Sequence, residues 1–446
     1  MSRGSFNSSF GAMMAVAGSA VGLGNIWRFP YLVGQNGGGA FLVLYLALVL
    51  LIGLPLMLAE FSIGRTTQLG TVSSFKSLAP QKKWYLIGYF AVIAGFAILG
   101  FYSVVAGWTL KYLYEAAINA FSNQSTAELS NNLDNFINSG WQPIAYTAGF
   151  IALSAYIVIK GVEKGIERYN KVLMPVMVFI LILLCVNSVT LDGFAQGVDF
   201  LFNPDFSKID TNVVLNALGQ AFFSLSIGMG VLITYGSYVK KEENMPATKG
   251  VVALMDSGIA ILAGLAIFPA VYTYGLEPSE GSTLVFKALP NVFAQMPMGY
   301  FVGLLFFLLL VIAAVTSVVS IMEMITAFFI EEYKMTRKRA VIYISLIVFV
   351  ISVVCAISQI EDSSLVLFGL NIFDLLDTLS ANFLMTLCGL GIAIFTGWFF
   401  GKKKLRAVFT SNGRYLNWLF PVFFFLLRYF CPLAVAIIFL SKVGFI

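Results

Sequence analysis

The chain contains no histidine, and only 11% of its residues are charged. The first absence removes the commonest protein metal ligand and the usual proton shuttle near neutral pH. The second excludes an ordinary soluble domain, in which about a quarter of the residues are charged. Cysteine is scarce as well. Cys185, Cys355, Cys388 and Cys431 all fall in apolar stretches and none is spaced as Cys-x-x-Cys, so neither a disulfide framework nor a thiolate zinc site is indicated. No polar linker divides the 446 residues. What is present is apolar: 59% of the chain is hydrophobic, and the mean hydropathy is +0.88. These features define a polytopic, all-α integral membrane protein built as one transmembrane domain over 1–446. The N-terminal stretch MSRGSFNSSF leads into an apolar segment with no cleavage-like exit, so that segment is expected to stay in the mature protein.

Apolar stretches of about 20 residues can cross a bilayer as helices. Eleven are read at 10–33, 39–64, 85–118, 141–159, 169–190, 213–239, 250–274, 297–331, 339–359, 365–400 and 415–441. Basic residues set their orientation. Of 27 Lys and Arg, 21 (Arg3 and those in 65–84, 160–171, 240–249, 334–339 and 402–414) fall on one side of such a path. Only Lys208, Lys287 and Lys442 fall on the other, while Arg28, Lys111 and Arg428 lie within helices. The positive-inside rule then places the N-terminus in the cytoplasm and, with an odd number of spans, the C-terminus outside.

Two segments are badly written as plain helices. The first breaks at GSAVGLGN (Gly18 to Asn25) and the sixth at SLSIGMG (Ser224 to Gly230). First and sixth are matching places in two five-helix halves, about 10–190 and 213–400, with an extra helix at about 415–441. Because five is odd, the second half runs inverted. Glycine-interrupted segments at corresponding positions point to a transporter site at the bilayer midplane. Close helix packing through small residues is the rival explanation for either run alone.

The motifs that carry a family resemblance are AGSAVGLGNIWRFP (Ala17 to Pro30), NGGGAF (Asn36 to Phe41), GLPLMLAEFSIGR (Gly53 to Arg65), GQAFFSLSIGMG (Gly219 to Gly230), ITYGSYV (Ile233 to Val239) and AAVTSVVSIME (Ala313 to Glu323). Through them the chain resembles the neurotransmitter:sodium symporters of the LeuT fold, a 5+5 inverted repeat with broken helices 1 and 6, in its shorter eleven-helix prokaryotic form. The resemblance implies two sodium sites. The first takes the Ala20 carbonyl, Asn25 and Ser224, closed by a substrate carboxylate; the second takes the Gly18 and Val21 carbonyls with Ala313, Thr316 and Ser317. Elementary chemistry agrees, since a hard cation wants oxygen ligands and an unwound helix frees carbonyls. Back-bonding to their own helix is the alternative for Thr316 and Ser317. The family's helix-seven asparagine at the first site has no counterpart in VVALMDSG, whose strong oxygen ligand is Asp256. Asp256 instead resembles the carboxylate that chloride-independent members keep where others bind the anion, beside Tyr45, Gln220 and Ser224.

By the same resemblance the substrate carboxylate meets amides near Gly22 and Gly24 and the Tyr102 hydroxyl, and the ammonium meets carbonyls near Ala20 and Phe223 and Ser226. Monoamine members place an aspartate where this chain has Gly22, so an amino acid is expected. Its side chain would lie among Ser19, Leu23, Ile98, Phe223, Met229, Ser317, Ser320 and Ile321. None of these is charged, which favours a neutral hydrophobic L-amino acid, large or aromatic ones included; ordinary core packing is the alternative for Met229 and Ile98.

Arg28 and Asp377, in FDLLD with Asp374, resemble the extracellular gate, although a lone arginine in an apolar stretch also snorkels. Arg3 resembles the cytoplasmic latch, with Glu331 as partner and Tyr238 nearby; Glu60 and Glu323 fall near the inner half. KGIERYNKVLMP holds Gly165 and Pro175, which in some members let the inner end of helix 5 unwind; a plain helix start is the alternative. The expected activity is inward, sodium-coupled and chloride-independent symport at the cell membrane, with two Na+ and no enzymatic step. A non-transporting amino acid sensor or a channel on the same scaffold is the competing function.

Overall fold

The computed structural model describes residues 4–239, 245–278 and 284–442. Among these residues, nine helices are long and apolar enough to cross a membrane: α2 (Gly39–Thr67), α3 (Tyr85–Ala117), α4 (Trp141–Ile159), α5 (Val162–Ser188), α7 (Gly250–Thr273), α8 (Gly299–Glu332), α9 (Arg337–Ser358), α10 (Ile372–Phe399) and α11 (Phe420–Ser441). A tenth span is the pair α1a (Ser9–Ala20) and α1b (Gly24–Gln35), bent by 44°. The expected sixth segment is present as α6a (Thr211–Ser224) and α6b (Val231–Tyr238), each short for a crossing of its own. The two interruptions foreseen from glycine therefore fall at the first and sixth segments.

Local sequence explains the ends of the half-helices. The Ser8 hydroxyl caps α1a by accepting from the Gly11 amide at 3.0 Å, and the Asp210 carboxylate caps α6a by accepting from Val213 at 2.8 Å. The turn after α6a needs left-handed backbone: Ser226, Gly228 and Gly230 have φ of 54°, 79° and 75°. At Gly228 a Cβ would also strike the main chain of Met385 on α10, so glycine is required twice over.

Packing separates a central group from a rim. The apolar windows of α3 and α8 are 83% and 78% buried, whereas those of α4, α5, α9 and α11 are 33–39% buried. The rim helices turn large apolar side chains such as Phe179, Leu346, Val350 and Leu433 outward, as lipid contact requires. The centre is made by α3 lying along α8 and α6b lying along α2, with α1a against α5 and α8. Cations within helices are accommodated individually. Lys111 pairs with Glu115 at 2.8 Å, and the Arg428 guanidinium lies 5.5 Å from the Trp398 ring centre.

Candidate functional site

The break in α1 begins where the amides leave their helical partners. Gly22 N donates to Asn25 Oδ1 at 3.2 Å, Leu23 N donates to the Tyr102 hydroxyl at 3.1 Å, and Asn25 N donates to Gly22 O at 3.1 Å. These three amides thereby leave the carbonyls of Gly18, Ser19 and Val21, which a continuous helix would have assigned to them. Ser19 O is taken by the Ser226 hydroxyl at 2.7 Å, which ties the α1 break to the α6 break.

Between the two breaks lies a cavity with about 280 Å³ of empty space, lined by Ser19, Ala20, Gly22, Gly24, Tyr102, Phe223, Ser226, Met229, Ser317 and Ile321. All ten were named from the sequence. Leu23, Ile98, Ser224 and Ser320 are buried but outside this lining. Ser320 instead links α8 to α6b, accepting from the Tyr235 hydroxyl at 2.9 Å and donating to Thr316 O at 2.8 Å. The absence of a side chain at Gly22 has a steric cause: a Cβ there would collide with Ser317 Oγ and approach the Tyr102 hydroxyl to 3.1 Å. No charged side chain lines the cavity.

Outside this lining, behind Asn25 and Ser224, lies a carboxylate. Asp256 Oδ1 accepts from Asn25 Nδ2 at 2.8 Å and from Ser224 Oγ at 2.8 Å; Oδ2 accepts from the Tyr45 hydroxyl at 3.1 Å. Asn25 Nδ2 also reaches the Asp256 main-chain oxygen at 3.0 Å. The carboxylate is fully buried. The sequence left helix 7 without a first-site ligand and set Asp256 with the anion pocket; the geometry puts it in contact with residues of both groups. Gln220 points elsewhere, donating to Gly24 O at 2.7 Å.

The second group of oxygens is assembled from α1 and α8. Thr316 Oγ1 donates to Ala313 O of its own helix at 2.9 Å, the back-bond named as its alternative role, and lies 3.4 Å from Val21 O of α1; Ser317 Oγ faces Gly22. Gly18 lies closely against Asn170 of α5.

The two ends of the cavity differ. On one, the Arg28 guanidinium stacks over the Phe223 ring at 4.7 Å and approaches Asp377 to 4.0 Å. Asp374 is bound locally, its Oδ2 accepting from Asn371 Nδ2 at 2.8 Å. On the other, Arg337 makes a bidentate pair with Glu323 at 2.6 and 2.8 Å, and the Tyr238 hydroxyl donates to Glu323 at 2.7 Å. Phe6 packs edge-on against Tyr235 and Tyr238. Arg3 lies outside the described residues, and Glu331 accepts from the Gly70 amide at 3.0 Å. Two contacts escaped sequence reading. Glu60 Oε1 accepts from the Gly228 amide at 2.7 Å and so holds the unwound part of α6, and Arg337 serves Glu323 besides being a cytoplasmic positive charge. The only signal for the first was that a membrane carboxylate needs a purpose.

Two broken helices around an uncharged buried cavity, with clustered oxygens and a carboxylate beside it, define a membrane transporter that handles a cation with its solute. The chain belongs to the sodium:neurotransmitter symporter family, whose profile matches residues 3–134 and 115–445. It is 39% identical to the sodium-dependent transporter YhdH of Bacillus subtilis over 98% of this chain and 97% of that one. A sodium-dependent transporter of Haemophilus influenzae is 37% identical over 99% and 98% of the two chains. The crystal structure of MhsT in complex with L-phenylalanine superposes with a TM-score of 0.93 at 42% identity, covering 99% of this chain and 100% of that one. The protein is thus a multi-pass, sodium-dependent transporter with the LeuT fold, and not an enzyme.

Proposed function

We propose that the protein carries a neutral, hydrophobic L-amino acid into the cell together with two sodium ions, by alternating access and without chloride. The observation that carries the substrate class is the cavity at the two breaks: uncharged, closed at one side by Tyr102 and Phe223, and open at Gly22 only to the thickness of a backbone. A charged side chain would be desolvated there without a partner, at a cost of several kcal/mol, on the order of that for any unpaired buried ion. L-phenylalanine in the related MhsT fits the same reading.

In this reading the Ala20 carbonyl, Asn25 and Ser224 hold the first sodium ion with the substrate carboxylate, and Asp256 adds a fixed negative charge within reach of that site and of the anion pocket. Gly18, Val21, Ala313, Thr316 and Ser317 hold the second. Arg28 and Asp377 close the outer route, while Arg337, Glu323 and Tyr238 close the inner one, with the N-terminus cytoplasmic as the basic residues direct. Binding is coupled because the unwound backbone of α1 serves both cargoes: its carbonyls face cations and its amides face an anion. Thermal stabilisation of the purified protein by a panel of amino acids, with and without sodium, tests the substrate class. Sodium-dependent stabilisation by phenylalanine, leucine or tryptophan supports it; stabilisation only by lysine, glutamate or a monoamine overturns it.

A further inference from the structure

Asn170, on α5, is 2% exposed, and its two polar atoms are treated unequally. Nδ2 donates to Ile166 O at 2.9 Å, one turn back along α5. That bond fixes the orientation of the amide, because only the nitrogen can serve a carbonyl. The other end, Oδ1, has no hydrogen-bond partner and is turned onto Gly18 of α1a, where even a Cβ would collide with it. Leaving a buried acceptor unsatisfied costs about 1–3 kcal/mol, so a vacant carboxamide oxygen in this position calls for a use.

Its surroundings suggest one. Gly18 begins the run of carbonyls that the α1 break frees, and Val21 O, Ala313 O and Thr316 Oγ1 gather beyond it. Asn170 lies in the regular α-helical part of α5, Arg168–Ser188, between two weaker points of that span. Before it comes a π-turn over Val162–Glu167, and after it Pro175, which withholds an amide from the carbonyl of Lys171. Asn170 lies midway between Gly165 and Pro175. A segment weakened on both sides of a buried, unpaired oxygen can carry that oxygen when it moves.

We propose that Asn170 Oδ1 is an additional sodium ligand on the cytoplasmic route of the second ion: it meets the ion as the ion leaves the carbonyls of α1 and replaces part of its lost coordination. The inference rests on the assignment of the second sodium site to Gly18, Val21, Ala313, Thr316 and Ser317. A neutral carboxamide suits such a role, because it binds a hard cation without holding it as a carboxylate would. A purely structural alternative is that Asn170 only fills space against Gly18 through a weak Cα–H···O contact.

The two accounts separate in proteoliposomes, with internal and external sodium titrated independently on amino acid uptake. Asn170→Leu, similar in size but without the oxygen, is expected to weaken inhibition by internal sodium about fivefold or more, while half-saturation by external sodium stays within about twofold. Asn170→Asp, which keeps the oxygen and adds charge, is expected to retain or strengthen inhibition by internal sodium and to slow release of radioactive sodium. Asn170→Ser, with a shorter reach, carries the leucine expectation should that variant fold poorly. Equal internal-sodium dependence in all three, or weakening with aspartate as much as with leucine, overturns the proposal. Thr316→Ala checks the underlying site: if it leaves both sodium dependences unchanged, the second-site assignment itself fails.

Discussion

Asp256 and Asn25, 231 residues apart in sequence, are joined by two hydrogen bonds from one nitrogen, 2.8 Å to the carboxylate and 3.0 Å to the main-chain oxygen. The same carboxylate takes the hydroxyls of Ser224 and Tyr45. A buried carboxyl group is thereby placed where the proposed first sodium site meets the proposed anion pocket, and its donors among the described residues are neutral.

Replacing that charge should expose a need for an anion. Asp256→Asn is expected to lower sodium-driven uptake in chloride-free buffer by more than about tenfold, since breaking a buried charge arrangement commonly costs several kcal/mol. Added chloride should restore part of the activity. Uptake in gluconate and chloride buffers measures this, and a variant as active as the parent without chloride counts against Asp256 as the anion substitute.

At Gly22 the constraint is space. Gly22→Ala drives a methyl group into Ser317 Oγ, and overpacking a tight site costs about 1–3 kcal/mol. Because the collision lies within the cavity lining, amino acid affinity should fall at least about tenfold, beyond what the accompanying loss of stability of about 1–3 kcal/mol, read as a lower melting temperature, accounts for. Gly24→Ala, whose Cβ would meet the Phe223 ring at 3.0 Å, should be milder because an aromatic side chain can shift.

Glu60 supports the turn in α6 rather than the cargo directly. Glu60→Ala leaves the Gly228 amide without its acceptor in a dry interior, a loss of about 1–3 kcal/mol. Glu60→Gln keeps an oxygen at the same place and should recover most of that stability. Melting temperatures of the two variants in detergent, compared at fixed sodium, check the order.

The inner closure depends on Arg337. Arg337→Ala strips the fully buried Glu323 of its bidentate partner and leaves it the Tyr238 hydroxyl, at a cost of about 3 kcal/mol. Labelling of a cysteine introduced at Ser19 by a reagent supplied from the cytoplasmic side should rise. Pairing the change with Glu323→Gln should restore part of the stability, because no unpaired charge then remains buried.

The sequence made the bent first segment and the broken sixth legible because both are written in contiguous glycine-rich motifs. The ten residues lining the cavity were named through the family resemblance that such motifs carry, and most of them lie in those two motifs. Contacts between distant segments were not. Glu60 and Gly228 are 168 residues apart, and nothing local in GLPLMLAEFSIGR says which amide its carboxylate will meet. Arg337 sits among basic residues that are fully explained by membrane orientation, so its pairing with Glu323 adds no trace to the pattern. Asp256 was visible as a membrane carboxylate, but its contacts depend on the rotation of α7, which an apolar segment without strong periodicity does not disclose. Gln220 illustrates the same limit: its bond to Gly24 O depends on the rotation of α6a.

Coupled transport shows itself as concentrative uptake. Purified protein in liposomes, given labelled phenylalanine and then a panel of amino acids, should accumulate the hydrophobic ones above the external concentration only under an inward sodium gradient. Accumulation should vanish when sodium is equal on both sides and persist when chloride is replaced by gluconate. Equilibration without accumulation, or accumulation indifferent to sodium, would contradict the account.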